Sequence, residues 1–235
     1  MLFRSYLHLG GDYYLNVPPN HTTAFRTIPE IFVGQNANGP VGTAGFAVPG
    51  AFDGTPFFAN TGTLTNVDHV HTFDVEGLWV YGPLSVQTEA MAAVVDRANL
   101  ASPVLHGEYL QVGWFLTGEH RPYDRVAGAI DRVKPFEDFF FVSTDRGLQR
   151  GKGAWEVAVR YSHLDLNDRS ISGGILDDIT FGVNWYTNAY SKIVFNYIHS
   201  WRQSPTSPPA PAGVGPAVAV NSEANAFGIR AQMDF

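Results

Sequence analysis

The feature that most constrains this chain is a period-2 alternation of apolar and polar residues, repeated segment after segment, while helical periodicity is hard to find. The clearest run is GAWEVAVRYSHLDL at 153–166. Trp155, Val157, Val159 and Tyr161 share one face, and Glu156, Arg160 and Ser162 share the other. The same pattern recurs at 69–81, 84–97, 105–117, 176–187, 190–202 and 223–235, and more weakly at 3–16 and 24–34. Alternation on this scale predicts an all-β chain of about nine strands, each near the ~9–11 residues a tilted strand needs to cross a bilayer. A two-residue turn is expected at Gly82-Pro83 and another at 188–189. Long connections are expected at 35–67, 118–152 and 203–222, the last a Pro/Ala-rich stretch unfit for a central strand. No linker separates two cores, so residues 1–235 read as a single domain.

Composition narrows the classes. Hydrophobic residues make up 45% and the net charge is only −7, which excludes a disordered chain. With 15 Lys plus Arg against 22 Asp plus Glu, nucleic acid is not an expected partner. There is no cysteine, hence no disulfide framework and no thiolate-bound metal. No run approaches the ~18 apolar residues of a membrane helix. The start, MLFRSYLHLGGDYYL, lacks the basic, apolar and small-residue sections of a signal peptide, so the chain reads as mature, truncated or partial.

Alternation alone leaves two architectures open. A soluble β-sandwich turns its apolar face inward. An antiparallel transmembrane β-barrel turns it toward lipid and lines its lumen with the polar face. Two features favour the barrel: aromatics near strand ends (Tyr161, Trp185, Tyr197, Trp201), and a polar face of Gly, Ser, Gln, Glu and Arg with only three lysines in the whole chain.

Several segments carry a resemblance. These are FRTIPE at 25–30, VEGLWVYGPLSVQTEAM at 75–91, FLTGEHRPYD at 115–124 and RVKPFEDFF at 132–140. They continue with GAWEVAVRYSHLDLND at 153–168, the Gly173-Gly174 pair, DITFGVNWYTN at 178–188, FNYIHS at 195–200 and FGIRAQMDF at 227–235. In order and spacing the chain resembles the carboxy-terminal half of the phosphate-selective porin O and P family. The resemblance implies an outer-membrane, usually trimeric, 16-stranded barrel whose lumen and infolded loops carry Arg and Lys. It also implies passage of small, phosphate-like anions, contact with lipid and lipopolysaccharide, and no cofactor. About nine strands cannot supply 16, so the chain reads as a partial porin; an open sheet edge in hydrocarbon costs several kcal/mol per unpaired group. The alternatives are a soluble β-sandwich binding module, or a general, non-selective porin.

The candidates for a pore-lining, anion-binding set are Arg4, Arg26, Arg97, Arg160, Lys192, Arg202 and Arg230, with Arg121 and Arg125 from the charged 119–134 segment. A guanidinium offers a planar donor fork suited to phosphate oxygens, and a ladder of them would favour anions in a narrow pore. Against this stands pairing with wall carboxylates such as Glu76, Glu89, Glu108 or Glu156, which the acidic balance favours. The 119–134 segment reads either as a constriction folded into the lumen or as an ordinary salt-bridged loop. His69 and His71 share a strand face and have Asp68 beside them, but girdle histidines are the commoner case and no metal site is expected. Asp165, Asp168, Asp177 and Asp178 are expected around a solvated loop at 167–175. No GxSxG, HExxH or P-loop is present, and no enzyme activity is expected.

Overall fold

A computed structural model describes residues 5–28, 30, 57–144, 147–203 and 221–234. Eight long strands form one antiparallel sheet: β1 (Ser5–Asn16), β2 (Val67–Tyr81), β3 (Leu84–Arg97), β4 (Val104–Phe115), β5 (Ala154–Asp168), β6 (Ile171–Asn188), β7 (Ser191–Gln203) and β8 (Ser222–Met233). They lie in chain order, each hydrogen-bonded to the next, so the sheet is a meander with β1 and β8 at its two free edges. Register is set across the centre by Val159 opposite Val112 and Phe181, and by Gly182 opposite Asn196.

The turns explain how the meander is held. Gly82 takes a φ of 56°, which glycine adopts without a Cβ clash, and Pro83 follows with a ring-fixed negative φ. That pair matches the twist of a two-residue hairpin. The Gly82-Pro83 turn, the Ala189-Tyr190 turn and the 116–153 connection share one rim, because Phe115 N donates to Pro83 O at 3.0 Å and Ala154 lies opposite Tyr186. The opposite rim carries the described residues 17–28, 30 and 57–66, the 98–103 connection and the Arg169-Ser170 turn, with the ends of β7 and β8 at Gln203 and Ser222; the connection expected at 203–222 lies outside the described residues apart from its ends.

The even-numbered residues of each long strand form the face that the connections cover, apart from β3 and β4, where the odd ones do. Two apolar clusters sit on it at the second rim. Phe58, Ala59, Leu105, Leu166 and Leu176 form one; Leu64, Val67, Val70, Ala93 and Val95 form the other, and Phe25 packs against both. A third cluster, of Phe115, Val133, Ala154 and Tyr186, sits at the first rim under the 116–136 segment. Between them the covered face is mostly polar, although Leu78, Val80, Val194 and Ile198 are also buried on it.

The other face is bare and apolar. Phe227 on it is 80% exposed and Phe181 50%, while Glu156 on the covered face is 0% exposed. A soluble sandwich would show the reverse, so that architecture is rejected by which face is covered. Aromatics bracket the bare face. Trp155 stacks on Trp185 with ring centroids 5.1 Å apart near the first rim, Tyr197 meets Phe227 at mid-strand, and Tyr161 meets Trp201 toward the second rim.

Four expectations need correction. The segment 24–34 is not a wall strand: of its described part only Arg26–Thr27 is extended, paired with Ala59–Asn60. Its backbone groups are met locally, Phe25 N by Thr61 Oγ1 at 3.0 Å and Phe25 O by Thr61 N at 2.9 Å, which frees Phe25 to fill the core. The expected loop at 167–175 is a tight turn at Arg169-Ser170 (Arg169 φ 54°) followed by continuous strand. A bulge between Asp165 and Asn167 absorbs the extra residue, and the Asn167 side chain accepts from Gly174 N at 2.9 Å. The connection expected at 118–152 contains two short hairpins, Tyr123–Asp124 with Ala129–Ile130 and Phe140–Thr144 with Gly147–Gly151; neither joins the large sheet. The connection expected at 35–67 ends earlier, since Ala59–Asn60 and Leu64–Thr65 are extended and β2 starts at Val67.

Candidate functional site: the covered wall and its rim cleft

The 116–136 segment returns over the covered face and is fixed there by charge and hydrogen bonds. Glu156, fully buried on β5, accepts from an Arg121 guanidinium nitrogen, from Asn184 Nδ2 at 2.9 Å and from Tyr186 Oη at 3.0 Å. Arg121 also reaches Ser85 Oγ at 3.4 Å, and its carbonyl accepts from Tyr6 Oη at 3.1 Å. Tyr123 Oη lies 2.5 Å from His8 Nδ1, and the other nitrogen of His8 lies 2.9 Å from Glu76 Oε1. Glu119, 3% exposed, holds the Thr117 hydroxyl and accepts from Phe136 N at 3.1 Å. Gly113 makes room for this junction: a Cβ there would lie 2.8 Å from both Glu156 Oε1 and Ser85 Oγ.

Val133 is the apolar anchor of the same segment, buried against Phe115, Ala154 and Tyr186. Its neighbours Arg132 and Lys134 line a cleft of 680 Å³ together with Lys192 of β7, facing Asp131 and Asp234. The Arg132 guanidinium sits 4.4 Å over the Tyr190 ring, and the Lys192 ammonium lies 5.7 Å from the Tyr186 ring centre. Three cations against two carboxylates leave this cleft net positive and open to solvent.

Two of the expected pore-lining residues are paired with carboxylates. Arg121 takes Glu156, and Arg160 takes Glu30 at 2.9 Å while its guanidinium lies 3.8 Å over the Tyr109 ring. Glu30 also accepts from Ser162 and Thr180, so one acidic residue after the Arg26–Thr27 strand bridges β5 and β6. Arg97 donates from Nε to Thr65 O at 2.9 Å, at the second rim. Arg26 stacks 4.9 Å over Phe57, away from the polar centre of the wall. Lys192, Arg202 and Arg230 lie on the covered face of β7 and β8, Arg202 buried and Arg230 exposed. Arg125 is exposed in the hairpin at 123–130, and Arg4 lies outside the described residues.

The charges are unevenly spread over the covered face. On β1, β2 and β3 it carries Asp12 opposite Asp74 and Glu76 opposite Glu89, with Arg97 at the second rim, while β5–β8 carry Arg160, Lys192, Arg202 and Arg230 together with the buried Glu156 and Asp178. Glu108, expected among the wall carboxylates, is on the bare face, because it shares parity with Leu110 and Trp114. His69 and His71 are also on the bare face. His71 is occupied on both ring nitrogens, by Tyr13 Oη at 2.8 Å and Asp96 Oδ2 at 3.2 Å. Glu30, Tyr109, Asn184 and Tyr186 were not among the expected site residues, and nothing in local spacing marks them, because their partners are 28 or more positions away except for Tyr109, which is set by cross-strand register.

Water cannot be the solvent of a sheet whose bare face is this apolar, and the class of protein that meets the difficulty is the transmembrane β-barrel, with lipid outside and a polar lumen within. Within that class the chain belongs to the phosphate-selective porin O and P family, whose family model matches residues 51–235. It is similar to porin O of Pseudomonas aeruginosa, 30% identical over 138 residues, covering 53% of this chain and 28% of that protein. An uncharacterised protein of Caulobacter vibrioides is 30% identical over 137 residues, covering 58% of this chain and 26% of its own length. The chain thus matches little more than a quarter of each relative.

Proposed function

We propose that the chain forms part of the wall of a bacterial outer-membrane porin, a passive channel for small solutes rather than an enzyme. The observation that carries this reading is the assignment of faces: apolar and aromatic outside, polar and partly plugged inside. The free edges of β1 and β8 are completed by further antiparallel strands, which a membrane setting requires because unpaired strand-edge groups have no water to bond in hydrocarbon. A homotrimer set among lipid and lipopolysaccharide is the assembly we propose for the closed barrel.

Small, phosphate-like anions are the proposed cargo, and the rim cleft of Arg132, Lys134 and Lys192 is the proposed point of preference. Guanidinium and ammonium donors in a confined cleft replace part of an anion's hydration shell. A ladder of lumen arginines supports this less well, because Arg121 and Arg160 are paired with Glu156 and Glu30. A specific observation favours a second reading, a general porin: the acidic tract of Asp12, Asp74, Glu76 and Glu89 attracts cations to the opposite wall. Reversal potentials of the completed barrel in planar bilayers separate the two. Preference for phosphate or chloride over potassium supports the anion reading, and preference for potassium leaves the general porin.

A further inference from the structure

Among the described residues, the bare face carries a cluster that the channel reading does not use. His106 and Glu108 are two residues apart on β4, so their side chains emerge on the same side of the sheet. His163 of β5 lies directly opposite Glu108 and diagonal to His106, whose own partner is Asp165. One ligand atom from each of His106, Glu108 and His163 lies within 4.8 Å of the other two. The two imidazole rings are 6.0 Å apart between centroids. His106 and Glu108 are exposed and His163 is half-buried, and the cluster lies two to four residues from the Val104 end of β4, toward the second rim, where an ion can reach it from the aqueous side.

A second layer orients it. Asp177 of β6, opposite His163 and only 5% exposed, places Oδ1 2.8 Å from His163 Nδ1 and accepts from Tyr161 Oη at 2.6 Å. A carboxylate on one imidazole nitrogen fixes the tautomer and turns the other nitrogen outward as a free ligand. The cluster begins one outward position past Tyr161 and Leu110, on the side away from the short turns.

We propose that His106, Glu108 and His163 form a site for a borderline divalent transition-metal ion, with zinc as the representative. Two imidazoles and a carboxylate suit zinc, nickel or copper better than calcium or magnesium, which take oxygen ligands. Three protein ligands leave a fourth position facing away from the wall, for water or an anionic oxygen. Asp177 is a positioning residue that acts through His163. The site needs only β4, β5 and β6 to be in register, and it stands whether or not the pore prefers anions. Local sequence spacing does not reveal it, because the third ligand comes from a strand 55 positions further on and is brought in by register alone.

The test uses the full chain in detergent micelles or isolated outer membranes, with a β-sheet circular dichroism spectrum confirming the fold of each variant. Zinc is titrated by calorimetry, and cobalt(II) is added as a probe whose visible absorption is intense when it is four-coordinate. We expect one equivalent bound, with His106→Ala, Glu108→Gln and His163→Ala each weakening zinc at least about tenfold and removing the four-coordinate cobalt spectrum. Asp177→Asn weakens zinc by ~10–100-fold, whereas His71→Ala and His199→Ala leave it unchanged. Zinc affinity retained by the His106→Ala/His163→Ala double variant, loss of binding on His71→Ala, or a folded wild type that binds no zinc at hundred-micromolar concentration would each overturn the proposal.

Discussion

The buried Arg121–Glu156 pair illustrates how single residues hold the plug to the wall. Taking both charges out of water is costly, and the cost is offset only because Asn184 and Tyr186 satisfy the remaining carboxylate lone pairs. Removing one partner therefore hurts more than removing both. Arg121→Met leaves the buried Glu156 short of its principal donor, and we expect a loss of about 3–5 kcal/mol in urea or heat-modifiability measurements. The Arg121→Met/Glu156→Gln double variant should recover a large part of that loss; strict additivity would show that the pair is not coupled. Gly113→Ala is a second residue-scale test. Its Cβ meets Glu156 and Ser85 at 2.8 Å, so the junction must shift, at a cost of about 1–3 kcal/mol. Arg125, in the exposed hairpin, should tolerate Ala within ~0.5 kcal/mol.

At the scale of the strands, parity decides the effect of a substitution. Phe181, exposed on the bare face at the middle of β6, meets lipid; Phe181→Arg should cost ~2–4 kcal/mol near the midplane. Gln111, on the covered face of β4 opposite Arg160 and Gln87, meets the polar interior, and Gln111→Arg should leave insertion nearly unchanged. Equal disruption, read as the folded fraction after insertion into vesicles, would contradict the face assignment. Not every covered position is a permissive control: Asn184 and Ser162 share this parity but hold Glu156 and Glu30. The alternation of the long strands was legible because a strand shows its two faces in consecutive residues. The fate of 24–34 was not, because its short alternating run looks like a wall strand until Thr61 is seen to take its backbone groups.

At the scale of the molecule, the covered face is acidic on β1–β3, while on β5–β8 Glu156 and Asp178 offset part of the positive charge of Arg160, Lys192, Arg202 and Arg230, and the rim cleft lies at the β7–β8 end. Neutralising the cleft with Arg132→Gln, Lys134→Gln and Lys192→Gln should shift the reversal potential of the completed barrel toward cations. The shift should fade as the Debye length falls from ~10 Å at 0.1 M salt to ~3 Å at 1 M. An unchanged reversal potential would remove the cleft from the selectivity argument. Neutralising Arg160 should act differently, since Glu30 would lose its ion-pair partner and keep only the Ser162 and Thr180 hydroxyls, and stability would change before selectivity does.

Much about this protein followed from the sequence alone. Period-2 alternation fixes which residues share a face, and the absence of helical periodicity fixes the all-β class, because both are properties of neighbouring residues on one strand. The ordered run of segments from FRTIPE to FGIRAQMDF was enough to suggest the family. Tertiary structure alone decided which face is covered, that Arg121 and Arg160 are neutralised by Glu156 and Glu30, and that the 116–153 connection lies on the rim of the short turns. It also decided that His163 meets Glu108 outside the wall. Each of these depends on register between strands or on a loop folding back across the sheet, and such contacts join residues whose separation along the chain carries no local signal.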